Sequence, residues 1–134
     1  MLAFALAMMC AGCSDHDADR LVDRTRRAAT ADQWRAWAAQ VIERDNTNST
    51  SLPSSEWPEF VRKTVTNDHP SWEVDVRHID GNTNNPKLVM LVAFGGFQSI
   101  GVIIGPPSYV EVPPPNISQK SKQVYPGIYV REVD

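Results

Sequence analysis

Cysteine is nearly absent from this 134-residue chain: the two present are Cys10 and Cys13, and none occurs from Ser14 onward. The body of the protein therefore holds no internal disulfide, no thiolate zinc site and no cysteine nucleophile. Outside the cytoplasm, its core would have to hold without covalent staples. Histidine is scarce as well, limited to His16, His69 and His78. None of them falls into an HExxH pattern or a zinc-building pair on one helix. Asp15-His16-Asp17 offers metal ligands only on a flexible tether, so neither a metal nor another cofactor is expected. An excess of positive charge is also missing. The 13 Lys and Arg are outnumbered by 16 Asp and Glu, for a net charge of -3, which argues against a nucleic-acid binder. No GxSxG elbow, SxxK pair, GxGxxG turn or phosphate loop is present.

What is there is an ordinary globular balance, 42% hydrophobic and 22% charged, at a length that fits one domain and is far too short for a TIM barrel. A chain of this size buries roughly two thirds of its unfolded surface, enough for a real core.

The amino terminus carries a localisation signal. Residues Met1 to Ser14 read MLAFALAMMCAGCS and bear no charged side chain. The apolar part falls short of the about 20 residues needed to span a bilayer. It has the length of a secretory h-region, roughly 7–15 residues; the residues alone also admit a buried apolar terminal element. Cys10-Ala11-Gly12-Cys13 sets two small residues before a cysteine, and this segment resembles a bacterial lipoprotein signal with its lipobox. The resemblance implies cleavage after residue 12, a diacylglycerol on the Cys13 sulfur, and a chain tethered to the bacterial cell envelope on its extracytoplasmic side. Residues 1–12 would be the signal peptide, 13–19 the lipidated Cys and tether, and 20–134 a single domain. The body is similar in character to small bacterial lipoproteins, with no motif that names a domain family. The membrane, inner or outer, stays open.

Arg20, Arg24 and Arg27 recur at helical spacing, with Asp23 placed to pair with Arg27, and read as a solvated helix face. Thr30 and Gln33 form a capping box. Behind it Trp34, Trp37, Ala38, Val41 and Ile42 make an i, i+3, i+4, i+7, i+8 stripe, a helix with two tryptophan core anchors. Asp45 to Ser51 reads as a loop. A short helix follows, capped by Ser54 or Ser55, with Pro58 in its first turn and Trp57, Phe60, Val61 and Val65 on its buried side.

The period then changes to two. Trp72, Val74, Val76 and His78 alternate with Glu73, Asp75, Arg77 and Ile79, a half-buried strand whose charged side is solvated. Asp80 to Pro86 is a dense turn signal. Lys87 to Phe94 is apolar enough for a strand covered on both faces, and Ser99 to Gly105 returns as a hairpin partner. Tyr109, Val110 and Val112 lie between prolines and suit a short edge strand. Asn116 to Gln123 is polar and reads as loop, and Gly127 to Glu132 as the closing strand. Helices first and strands after define an α+β fold, with the helices packed on one face of an antiparallel sheet of about four strands. Trp34, Trp37, Trp57, Trp72, Phe60 and Phe94 are the expected core anchors.

Two functional readings follow. In the first the chain is a non-enzymatic binding or accessory domain, anchored through Cys13 and serving an envelope protein partner. Phe97 at a hairpin tip and Tyr109 on the proline-rich arm are its candidate contacts, because aromatic groups on loops favour recognition. In the second it is a small envelope hydrolase using His69 or His78 with Asp68, Asp80 or Glu73. A structural part of a larger surface system is not separable from the first reading by sequence.

Overall fold

The computed structural model describes residues 17–47, 53–65, 71–95, 98–112 and 118–133. Cys13, His16, Asp68, His69 and Phe97 lie outside them. The fold is α+β: three helices precede a five-stranded antiparallel sheet and pack against it. No helix among the described residues is long and apolar enough to cross a membrane.

Helix α1 (residues 17–28) buries Ala18, Leu21, Val22 and Thr25, spaced three and four apart. Arg20 and Arg27 do face solvent, but the basic segment also has a structural job. Arg24 Nε donates to the Thr64 carbonyl at 3.1 Å. Arg26 Nε reaches the Val124 carbonyl at 3.2 Å. Guanidinium groups satisfy carbonyls that would otherwise sit at a half-dry seam, so these arginines fasten α1 to its neighbours.

Helix α2 (Ala31–Thr47) starts at the expected box: Thr30 N–H donates to Gln33 Oε1 at 2.9 Å, and Gln33 N–H to Thr30 Oγ1 at 3.3 Å. Trp34 and Trp37 are buried together with Ala38 and Val41. Trp34 stands edge-on to Trp37 at 6.0 Å and to Phe60 at 5.0 Å, and its Nε1–H donates to the Thr25 carbonyl at 3.0 Å. The helix runs through Asp45, Asn46 and Thr47, which the sequence assigned to a loop. Lys87 explains the extension: its ammonium meets Asp45 Oδ2 at 2.9 Å and also Asn46, tying the last turn to the sheet.

Ser54 and Ser55 do not cap the next helix. They form a separate turn, Ser54–Glu56, and helix α3 (Glu59–Thr64) follows Pro58, its N-cap. The Pro58 carbonyl accepts from Val61 and Arg62 N–H at 3.1 Å each. Proline is suited to this end of a helix because it lacks only a donor that would have no partner there.

The strands are β1 (Trp72–His78), β2 (Lys87–Gly95), β3 (Gln98–Ile104), β4 (Gln119–Tyr125) and β5 (Ile128–Val133), in the order β1-β2-β3-β5-β4. The sheet has one strand more than expected. The extra one is β4, whose QKSKQVY carries no hydrophobic alternation and keeps only Val124 buried. Polar, lysine-bearing residues suit a sheet edge, where they blunt pairing with other chains. The strand expected at Tyr109, Val110 and Val112 is absent; that segment joins no ladder.

The core is two-sided and unequal. Val89, Leu91 and Ala93 of β2 face the helices with Ile100, Val102, Ile104, Ile128 and Val130. Leu88, Met90 and Val92 point the other way, with Ile103 and Tyr129. Strand β2 is thus covered on both faces, as its composition predicts. Phe94 corrects the list of anchors: it is 54% exposed. Its place in the alternation puts it on the face without helices, at the strand end where little covers it.

Candidate functional site

The face without helices is roofed by one short segment of chain. Residues 105–112 leave the end of β3 and cross this face before β4 begins. The start of this strap is fixed by the β4–β5 turn. Gly105 N–H donates to the Gly127 carbonyl at 2.9 Å, and Gly127 has φ +79°. A Cβ on Gly127 would lie 2.1 Å from the Pro106 carbonyl oxygen, so only glycine lets the two backbones meet.

Along the strap the side chains alternate, but in the opposite sense to the apolar pattern. Val110 and Val112 are 66% and 77% exposed, while Tyr109 and Glu111 turn inward. Tyr109 packs edge-on against Tyr129 at 5.9 Å. Tyr109, a candidate contact in the sequence, is folded half-buried onto the sheet. Burial raises its hydroxyl pKa from 10.0 to about 12; the Glu111 charge adds to the rise and Arg131 opposes it.

Glu111 is the centre of the arrangement. It is 9% exposed. Its Oε1 accepts from Arg131 Nε at 2.8 Å and from Gln119 Nε2 at 3.4 Å, with a second contact from the Arg131 guanidinium. Register explains why Arg131 is there. It pairs with Gly101 on one side and Ser121 on the other, and Gly101 pairs with Val92, which pairs with Glu73. A Cβ at Gly101 would come within 2.7 Å of the Leu91 carbonyl oxygen. The row thus admits only glycine at its middle, beside Arg131.

Beneath the strap lies a cavity of about 630 Å³, reaching from Glu111 and Arg131 to the Ile79–Gly81 turn. A second of about 410 Å³ adjoins it along β1 and β3, and the two share Arg77, Met90 and Arg131. Glu73, Asp75 and Arg77 are therefore not simply a solvated face. They line this groove, with Arg77 Nε on Asp75 Oδ2 at 2.7 Å.

His78 sits at the groove end, partly buried. Its Nδ1 is 2.8 Å from the Asn85 carbonyl oxygen. A carbonyl only accepts, so Nδ1 bears the proton, and the ring is oriented by backbone and not by a carboxylate. Asp80, with φ +57°, belongs to the same cavity, whereas Glu73 lies in the adjoining one. Among the described residues no cluster of three or more His, Cys, Asp or Glu could hold a metal ion.

Glu111 and Arg131 were not singled out by sequence reasoning. The signal available was the carboxylate between two valines within a proline-flanked run: in such an alternation the inward set is Tyr109 and Glu111 whenever the valines face out. No protein-family model, curated protein or solved structure matches this chain.

Proposed function

We propose that the protein is a bacterial envelope lipoprotein, lipidated at Cys13 and held extracytoplasmically by residues 13–19, whose body is a non-enzymatic binding domain. The lipobox-like Cys10-Ala11-Gly12-Cys13 supports the anchor. One observation carries the binding role: the helices cover one face of the sheet, and the other bears a roofed groove lined by aromatic, apolar and paired charged groups. Concave sites of a few hundred Å³ with an apolar floor and few convergent polar groups are the usual form of a ligand site.

Two measurements test this. Intact mass and membrane fractionation of the full chain, beside Cys13→Ala, test the anchor. The expected form starts at Cys13, carries acyl mass and sediments with membranes, and Cys13→Ala loses all three properties. A chain that keeps Met1 and never meets the membrane overturns it. A photo-reactive residue at Val112, on the groove rim, tests the surface in intact cells. Adducts mapped to the groove are expected; their complete absence overturns the binding reading.

The hydrolase reading retains one favourable observation, that His78 and Asp80 line the same cavity. Loss of hydrolysis in His78→Ala would support it, and full retention would dismiss it.

A further inference from the structure

The two edges of the sheet, β1 and β4, are treated differently. Helix α1 closes off β4: Arg26 donates to the Val124 carbonyl at 3.2 Å and to the Gln123 carbonyl at 3.4 Å, and Lys122 meets Asp19. The β1 edge is bare by comparison. Ile79 N–H donates to the Pro86 carbonyl at 3.0 Å, so that pair is a hydrogen-bonded one. Stepping back in twos along the register, Arg77, Asp75 and Glu73 exchange bonds with Leu88, Met90 and Val92. The N–H and C=O groups of Val74, Val76 and His78 therefore point away from the sheet. Among the described residues no backbone group bonds to them. A row of this kind is a template for another strand.

Charge selects the occupant. Glu73, Asp75 and Arg77 share one face of β1, and Arg77 Nε lies 2.7 Å from Asp75 Oδ2. A second copy of β1 laid antiparallel must set outward residues opposite outward residues, so the two-fold axis passes through a residue. An axis at Val74 sets Glu73 against the partner's Asp75. An axis at Asp75 or Arg77 sets that residue against its own copy. Each of these opposes like charges. An axis at Val76 alone sets Asp75 of each copy against the partner's Arg77. The cross-strand pairs and the pairs within each strand then form one ring of alternating sign. Val76 meets the partner's Val76, and Val74 meets the partner's His78, so the outward backbone groups of all three residues are satisfied.

We propose that the protein associates with a second copy of itself through β1, continuing the antiparallel sheet across a two-fold axis at Val76. This self-association goes beyond the reading of the groove and does not depend on it.

Analytical ultracentrifugation of the full chain should show a reversible monomer–dimer equilibrium. Asp75→Arg and Arg77→Asp each create like-charged pairs on both sides of the axis and should weaken association by about tenfold or more. Mixed in equal amounts, the two variants should recover it, because every cross-strand pair is then of opposite charge. A folding defect would produce no such rescue. The unaltered chain gives a readout that stands even if a variant fails to fold: amide exchange at Val74, Val76 and His78 should slow as concentration rises. A monomer at every concentration overturns the pairing. So do single variants that dimerise as well as the unaltered chain, a mixture of folded variants that does not recover, or exchange at these amides that is indifferent to concentration.

Discussion

Glu111 and Arg131 are 20 residues apart in sequence, on the strap and on β5, and their side chains close on each other with Arg131 Nε 2.8 Å from Glu111 Oε1. The carboxylate side chain is 3% exposed and the guanidinium 24%. The pair is thus the polar fastening of a segment that has no ladder bonds of its own.

Removing Arg131 alone leaves a buried carboxylate without its cation. Arg131→Met should cost about 3 kcal/mol in urea unfolding, the scale for breaking a buried pair from one side. The double variant Arg131→Met with Glu111→Gln should recover a good part of that loss, because no charge is then stranded. A double variant as unstable as the sum of the singles would show that the two act independently.

The tryptophan at the heart of the helical layer gives a second expectation. Trp34 is fully buried, meets Trp37 and Phe60 edge-on, and donates to the Thr25 carbonyl. Trp34→Ala should cost about 4 kcal/mol through the cavity it leaves. Trp34→Phe should lose less, though part of its deficit reflects the unsatisfied Thr25 carbonyl. Thermal or urea unfolding of both variants measures the difference.

Two glycines with positive φ should respond unequally to alanine. At Gly81, φ is +67° and nothing lies within 4 Å of the added Cβ, so Gly81→Ala should cost only the conformational penalty of about 1 kcal/mol. At Gly127 the same penalty is joined by a collision with the Pro106 carbonyl oxygen 2.1 Å away. Gly127→Ala should lose well over about 2 kcal/mol and loosen the strap, seen as faster amide exchange at Gly105.

Tyr109 gives an alkaline dependence. Its pKa is raised from 10.0 to about 12, first by burial and then by Glu111, so the neutral phenol is the form the fold prefers. That contribution is complete below pH 10.0 and is lost as pH rises toward about 12. Tyrosinate absorbance should show a late phase from Tyr109, and Tyr109→Phe should remove that phase and flatten the stability curve over the same interval. A late phase that survives in Tyr109→Phe would assign it elsewhere.

Legibility followed burial on the helix-covered side. Thr30, Gln33, Trp34 and Trp37 announce α2 because cap and stripe agree, and Lys87 to Phe94 announces a two-sided strand because every second residue on both faces is apolar. Strand β4 was hidden because it is an edge: Lys120 and Lys122 blunt pairing with other chains and Lys122 meets Asp19 of α1, so no apolar period appears. The edge strand expected at Tyr109, Val110 and Val112 does not form; the segment joins no ladder, and Tyr109 and Glu111 hold it to the sheet from its inward side. The last turn of α2 was read as loop because its support, Lys87, lies 42 residues from Asp45. The site shares this cause. Arg131 meets Glu111 through sheet register, which local pattern does not carry.

The strand order also sets a timetable. Strand β4 is made before β5 but joins the sheet only through it, since β5 lies between β3 and β4. Until Ile128–Val133 has been synthesised, β4 has no ladder to enter, Arg131 has not arrived for Glu111, and the Val124 carbonyl cannot be brought to Arg26 as part of a finished sheet. Six late residues thus lock helix, edge strand and strap together. A chain interrupted before them would leave the groove without its roof pinned, even though most of its hydrophobic residues were already in place.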